Sequence, residues 1–222
     1  MRKIGQMMTQ QNDFYTPTGI HVYFKDVIHN DEVNVEEVVA HLESLVPHHL
    51  LTEVEMIIVG WFDEFERRSI EAFYDSGTLY VSNVQNDNSD MFDDIIHETA
   101  HSLEQPYGYL IYGDGELEKE FLRKREHLHD LLWAKGYKIP KSVFMDSDYN
   151  EDLDMFLYED IGYERLSSII SGLYISAYAV TSLREYFATG FTEFYLDPNN
   201  HNFLKKVSPV LYKKLTELKD QK

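Results

Sequence analysis

Apolar and polar residues alternate along three short stretches in the first half of the chain, which is the pattern of β-strands. The stretches are 19–24, 54–59 and 72–82. The last has Asp75-Ser76-Gly77 at its middle, which predicts a hairpin with glycine in the turn. Asn34, with Glu37 three residues later, precedes an apolar stripe over 35–45, so we expect a capped helix there.

Helical periodicity dominates the rest of the chain. One helix is expected to begin near Ser89, with Ser89 as its cap and with Phe92, Ile96, Ala100 and Leu103 on its apolar face. A loop or short hairpin is expected at 107–115 and a loop at 140–154. Further helices are expected over 116–135, from about 163 to about 179, from there to 195, and over about 202–218. Strands followed by helices predict the α+β class, with a small mixed sheet and a mostly helical C-terminal part.

The composition is that of a folded, acidic protein. Hydrophobic residues make up 43% of the 222 residues, enough for a sizeable core. The formal net charge of −19 repels a phosphate backbone, so we expect no nucleic-acid partner, and basic segments of a peptide or protein would be attracted instead. Because the chain has no cysteine, disulfides, cysteine nucleophiles and zinc–thiolate sites are excluded.

The chain carries no predicted targeting or membrane segment. Its polar start lacks the apolar core of a secretory signal. The uncharged stretch between Arg165 and Arg184 is diluted by serine and tyrosine, so we expect a buried helix rather than a membrane span. These features predict a cytoplasmic or host-intracellular protein, or one associated with a phage or virion. No pattern indicates an oligomeric state.

The strongest chemical pattern is His97-Glu98-Thr99-Ala100-His101, an H-E-x-x-H sequence inside a predicted helix. One helical turn separates the two histidines, so their imidazoles share a face and can bind a single Zn²⁺. Glu98 between them can act as a general base on a water molecule. A catalytic zinc site needs three protein ligands, so a third must come from elsewhere in the chain.

The neighbouring residues are poor third ligands. The metzincin arrangement fails, because Glu104 and Tyr107 stand where it requires glycine and histidine. Glu104 also lies only three residues beyond His101 on the same helix, which is poor geometry for one ion. His127 and His129 are two residues apart, so they point to different sides of a helix, and a solvated face is expected.

Glu185 is the better third ligand. Its carboxylate stands among aromatic and small residues, where it needs compensation by a metal or by a basic neighbour such as Arg184. Tyr178 lies seven residues earlier and would share a face with Glu185 on a continuous helix. A phenol there can donate a hydrogen bond to the oxyanion of a tetrahedral intermediate, and a core tyrosine is the alternative.

A calcium site at 146–157 is a further alternative. Asp146-Ser147-Asp148-Tyr149-Asn150 begins like an EF-hand loop. Glu151 replaces the turn glycine, however, and Leu157 replaces the bidentate glutamate. We therefore expect a solvated acidic loop.

His97-Glu98-x-x-His101, followed far downstream by Tyr178 and by Glu185-Tyr186-Phe187-Ala188, resembles the anthrax lethal-factor-like catalytic domain, a group that includes the Pro-Pro endopeptidases. The resemblance covers about 54–104 and 170–218 and implies a zincin-like fold. It implies one Zn²⁺ bound by His97, His101 and Glu185. It further implies that Glu98 is the general base and that Tyr178 stabilises the oxyanion.

The resemblance also sets the expected domain organisation. Residues 1–17 read as a flexible arm and 18–222 as a single zincin-like metallopeptidase domain. The distance from His101 to Tyr178 exceeds that of compact members, so 105–165 reads as an insertion, and Thr189 stands where relatives often carry an acid.

The resulting hypothesis is a zinc metalloendopeptidase of the gluzincin type that cleaves a protein or peptide. Its substrate would lie extended beside the strand at 78–82 and pair with its main chain. The alternative is a catalytically silent, protease-like structural or interaction module, for example a component of a phage particle.

Overall fold

The computed structural model describes residues 13–221, which fold as two compact units. The first unit runs to Ser102 and the second begins at Leu103. The fold is α+β, as expected, with the strands in the first unit and a helical second unit. Whether the two units form the single domain expected over 18–222 stays a prediction.

A five-stranded mixed sheet organises the first unit, in the order β1-β2-β3-β5-β4. β2, β3 and β5 are parallel, and β1 and β4 are antiparallel strands at the two edges. The strands are β1 Phe14–Tyr15, β2 His21–Phe24, β3 Met56–Gly60, β4 Ala72–Asp75 and β5 Thr78–Ser82. β1 lies within the predicted arm at 1–17, and the rest of that arm falls mainly outside the described residues.

The hairpin and the first helix form from the local signals that predicted them. Ser76 and Gly77 join β4 to β5 with φ values of 48° and 86°, and a two-residue turn with both φ values positive matches the twist of the strands. The side chain of Asn34 accepts a hydrogen bond from the N–H of Glu37 and caps α1.

Three helices accompany the sheet: α1 Val35–Leu45, α2 Asp63–Arg68 and α3 Asn88–Ser102. α1 and α3 pack against each other, and α3 also contacts β4 and β5. The core consists of branched aliphatic residues from the parallel strands and apolar residues from the helices: Val22, Ile57, Val59, Leu79 and Val81 from the strands, and Val39, Leu42, Met91, Ile95 and Ile96 from the helices.

The second unit is mainly helical. The whole of the predicted insertion at 105–165 lies in this unit. Its helices are α4 Glu104–Tyr112, α5 Glu116–Ala134, α6 Lys141–Phe144, α7 Glu151–Met155, α8 Tyr163–Ile169, α9 Leu183–Leu196, α10 Asn202–Val207 and α11 Pro209–Lys219. A π-helical turn spans Phe156–Ile161 and a 3₁₀ turn spans Tyr178–Val180.

Three expectations for this unit were wrong. The segment 140–154, expected to be a loop, contains α6 and most of α7. The segment 107–115 lies mostly in helix α4 rather than in a loop or hairpin. The helix expected over 163–179 ends at Ile169, so the uncharged stretch before Arg184 is not one buried helix. Among the residues that the structure describes, no helix combines the length and the apolar character needed to cross a membrane.

Close contact between α9 and α11 requires a glycine. A Cβ at Gly190 would overlap the side chain of Leu211, which is fully buried. Glu120 of α5 lies beside the same contact and accepts the N–H groups of Val210 and Leu211, at 2.8 and 3.2 Å. Its carboxylate therefore caps the first turn of α11.

Candidate metal centre

The helix that carries His97 and His101, α3, begins at Asn88, six residues after β5 ends at Ser82. Oδ1 of Asp87 accepts the N–H groups of Ser89 and Asp90, at 2.7 and 2.9 Å, so Asp87 caps α3. The expectation that Ser89 provides the cap was wrong. An apolar face that includes Ile95, Ile96 and Ala100 is fully buried and fixes the rotation of the helix.

His97, Glu98 and His101 come together on α3. One ligand atom from each of the three side chains lies within 4.8 Å of the other two, and all three residues are partly buried. The two imidazole rings are 5.1 Å apart between centroids and inclined by 72°. This cluster can hold a metal ion, as the spacing of the histidines predicted.

The donor set fits a transition-metal ion. Two imidazole nitrogens that bind one tetrahedral ion at about 2.0–2.1 Å lie about 3.3 Å apart. The ligand atoms of this cluster lie within 4.8 Å of one another. Neutral imidazole and carboxylate are both ligands of zinc and related ions. The cluster therefore supplies two imidazoles and one carboxylate toward a common point.

A main-chain group of the hairpin fixes Glu98. The N–H of Tyr74 in β4 donates a 2.9 Å hydrogen bond to Oε2 of Glu98. Hydrogen-bonded and non-hydrogen-bonded residue pairs alternate along the antiparallel strands β4 and β5. The bond from the N–H of Ser82 to the carbonyl of Glu71 identifies these two residues as a hydrogen-bonded pair, so every second pair from there is also hydrogen-bonded. Tyr74 consequently stands at a non-hydrogen-bonded position, where its N–H points away from β5.

The expected position of a substrate beside β5 was wrong. β5 pairs with β3 on one side and with β4 on the other, so it has no free edge. β4 is the edge strand of the sheet, and the outward N–H of Tyr74 already bonds Glu98.

Acidic side chains precede the histidines on α3. Burial raises the pKa of Asp94 to about 7, partly opposed by a 3.0 Å hydrogen bond from Gln85 Nε2. Burial also raises the pKa of Asp93, and the neighbouring His97 opposes that shift. The carboxyl group of Asp94, one turn before His97 on α3, therefore has a pKa near neutrality.

Tyr178 and Glu185 belong to the second unit and do not lie on one continuous helix. Tyr178 is in the 3₁₀ turn Tyr178–Val180, and α9 begins only after Ser182. Ser182 has an extended backbone, and its Oγ accepts the N–H of Glu185 at 3.1 Å, so it caps α9. The argument that Tyr178 and Glu185 share a helical face was therefore wrong.

The surroundings of the two residues are nonetheless informative. Glu185 lies in the first turn of α9, and the Tyr178 side chain is 41% exposed, so its phenol is not a core group. That Glu185 coordinates an ion held by His97 and His101 stays a prediction.

The other candidate residues of the second unit make different contacts. Arg184 Nε bonds Oε2 of Glu104, so the expected basic neighbour of Glu185 pairs with Glu104. His127 is exposed, as expected, but His129 is buried and its Nε2 lies 3.1 Å from the carbonyl oxygen of Ile139. Asn150 of the acidic loop caps α7 by accepting the N–H of Leu153.

Sequence reasoning missed Arg125, which holds the segment between Tyr178 and Glu185. Its guanidinium is fully buried and donates to the carbonyls of Val180 and Thr181, at 2.7 and 2.8 Å. It also donates to the carbonyls of Phe144 and Asp146, at 3.0 and 3.3 Å. Burial lowers the pKa of Arg125 to about 10.

Comparison with known proteins adds no relative. A scan against protein-family models, a search of curated proteins and a search of solved structures each found no match.

Proposed function

We propose that this protein is a zinc-dependent metallopeptidase with a zincin-like catalytic domain, which hydrolyses a peptide bond of a protein or peptide. The observation that carries the proposal is the convergence of the His97 and His101 imidazoles with the Glu98 carboxylate on one helix. The resemblance to the lethal-factor-like group supplies Glu185 as the third ligand and Tyr178 as the oxyanion donor.

Glu98 has three features that suit a general base. It stands directly beside a ligand histidine in sequence, and the N–H of Tyr74 fixes the orientation of its carboxylate. A fixed carboxylate loses little orientational freedom when it accepts a proton from the attacking water. The partial burial of Glu98 also limits competing solvent.

The chemistry then divides among the residues of the chain. His97, His101 and Glu185 would hold the ion, which supplies Lewis-acid activation when bound. Glu98 accepts one proton from the attacking water and passes it to the nitrogen of the leaving amine as the C–N bond breaks. Tyr178 donates its phenolic O–H to the oxyanion that forms on the carbonyl oxygen.

The experiment combines zinc analysis with cleavage of a diverse peptide library. The wild type should bind one zinc ion and cleave a subset of the library. Glu98→Gln should retain zinc and lose about 10²- to 10⁴-fold in rate, because glutamine accepts the Tyr74 N–H but cannot take up a proton.

Glu36→Gln on α1 is the matched control, because Glu36 is exposed and its substitution removes the same charge. It should cleave as the wild type does. Equal cleavage by Glu98→Gln and the wild type would contradict the mechanism. Bound zinc without cleavage of any library member would favour the silent module over the enzyme.

A further inference from the structure

A second concave site lies at the carboxyl edge of the parallel strands in the first unit. β2, β3 and β5 run in the same direction, so the residues that follow them meet at one edge of the sheet. A pocket of about 290 Å³ opens there and is lined by Asp26, Val27, His29, Trp61, Asn83 and Val84. In open sheets with parallel strands, this edge is the usual place for a ligand.

The carboxylate of Asp26 is held in place at this edge. Its Oδ2 accepts the N–H of Trp61 at 2.8 Å, and Lys25 Nζ lies 3.4 Å from the same oxygen. A Cβ at Gly60 would lie 2.9 Å from this oxygen, so only glycine at the end of β3 allows the approach. The side chain of Asp26 is still 43% exposed and available to a ligand.

The charge of Asp26 is stabilised by these contacts. The N–H of Trp61 lowers the pKa of Asp26 most, and Lys25 and His29 lower it further. Lys25 is itself engaged, since its Nζ bonds the carbonyl of Trp61 and lies 4.5 Å from the ring centroid of Phe62. The pocket therefore presents an ionised carboxylate beside a cation that already has partners.

Asn83 lines the same pocket and is held rigidly. Its side chain is held by a 2.8 Å hydrogen bond from Nδ2 to the carbonyl of Val27, and its own carbonyl accepts the N–H of His29. The residue is only 3% exposed, yet its Oδ1 has no hydrogen-bond partner within the described chain. This oxygen is closed to solvent, so Asn83 shapes the wall of the pocket rather than offering an acceptor to a ligand.

The remaining walls are apolar. Trp61 is 44% exposed and Val84 is 47% exposed, so an indole and an isopropyl group face the solvent at the pocket. The indole is braced by an edge contact with Phe65, with 5.9 Å between ring centroids. An exposed indole beside a carboxylate is a favourable surface for a cation that carries aliphatic groups.

We propose that this pocket binds an organic cation, an amine or guanidinium on an aliphatic chain. Its N–H groups reach Asp26, and its chain lies on Trp61. The carboxylate disfavours an anion, and the net charge of −19 acts in the same direction. An accessible carboxylate and an aromatic face match a ligand that donates hydrogen bonds and carries positive charge.

Nuclear magnetic resonance of the ¹⁵N-labelled full chain tests the site, with agmatine as the probe at about 0.15 M salt to screen non-specific attraction. The chain has two tryptophans, so the indole N–H of Trp133 is an internal reference for that of Trp61. Agmatine should shift the Trp61 indole and the amides of 26–29 and 83–84 in a saturable way. The Trp133 indole should not follow.

Asp26→Asn removes the charge but keeps an acceptor for the Trp61 N–H, so the fold should persist and the affinity should fall about tenfold. Asp160→Asn, an exposed site in the second unit, removes the same charge and should leave the affinity unchanged. Trp61→Leu should weaken binding independently, read from the amides of 83–84.

Three outcomes would overturn the proposal. One is no saturable shift at Trp61 up to about 10 mM agmatine. Another is equal affinity in Asp26→Asn and the wild type. The third is an equal response to neutral 1-pentanol or glucose, which would assign the pocket to an uncharged ligand.

Discussion

The N–H of Tyr74 and the carboxylate of Glu98 form a 2.9 Å hydrogen bond that joins the edge strand β4 to α3, the helix of the candidate metal site. The bond uses a main-chain donor that an edge strand otherwise leaves to solvent. It also orients the carboxylate of Glu98, which lies between the two histidines in the sequence. The sheet therefore contributes to the candidate site through its backbone rather than through a side chain.

Removing this donor should destabilise the protein. Tyr74→Pro lacks the N–H, and proline is tolerated on an edge strand where the N–H points outward. Compared with Tyr74→Ala, which also lacks the phenol but keeps the N–H, it should lower the free energy of unfolding by about 1–3 kcal/mol. Urea unfolding of the two variants measures the difference, and equal stability would show that the bond contributes nothing.

The two histidines should dominate metal affinity. His97→Ala or His101→Ala should weaken zinc binding by at least about 100-fold, because each removes one of the ligands. His127→Ala removes an exposed imidazole of α5 and should bind zinc as the wild type does. Competition with a chelating dye measures the affinities, and a similar effect of all three substitutions would argue against the site on α3.

The third ligand can be tested by comparing two glutamates of the second unit. Glu185→Gln should weaken zinc binding about as much as loss of a histidine. Glu104→Gln should weaken the partly exposed ion pair with Arg184, and zinc affinity should stay within about twofold of the wild type. If Glu104→Gln weakened zinc binding and Glu185→Gln did not, Glu104 would be the third ligand. Glu185 would then be only a residue in the first turn of α9.

Local signals accounted for much of the fold. Asn34 and the Ser76-Gly77 turn act through contacts a few residues long, so their patterns sufficed to place α1 and the hairpin. The break before α9 also had a local signal, because Ser182 and Glu185 form the S-x-x-E pattern of a helix start. The expectation that Tyr178 and Glu185 share a helical face did not use this signal.

The candidate site was predictable only where its residues are close in sequence. His97 and His101 are one turn apart, so their spacing was enough to bring them together. The donor from Tyr74 and the carbonyls bound by Arg125 are main-chain groups, which no residue type reveals. Such contacts depend on tertiary packing and follow from the fold alone.

Arg125 should be among the most sensitive positions of the second unit. Arg125→Met leaves four carbonyls without their donor, and we expect a loss of about 3–5 kcal/mol in the free energy of unfolding. Arg123→Met on the same helix removes an exposed arginine and should change stability by less than about 0.5 kcal/mol. Denaturant unfolding measures both, and a small effect at Arg125 would contradict its role in holding 180–181.

Stability should fall as the pH rises from about 4 to about 7, in part because of Asp94. Its pKa is raised from 3.8 to about 7 by burial, so in this range the folded state retains a proton that the unfolded chain has lost. The stabilisation is complete below the unfolded pKa and is lost as the pH rises through the folded pKa.

Asp94→Asn mimics the protonated acid and keeps an acceptor for Gln85 Nε2. Its stability relative to the wild type should grow between about pH 4 and 7, reach about 1–3 kcal/mol, and stay constant above that range. Asp31→Asn, at an exposed turn, should show no such trend. Urea unfolding at several pH values gives the curves. A difference between Asp94→Asn and the wild type that does not change with pH would mean that Asp94 titrates alike in the folded and unfolded chains.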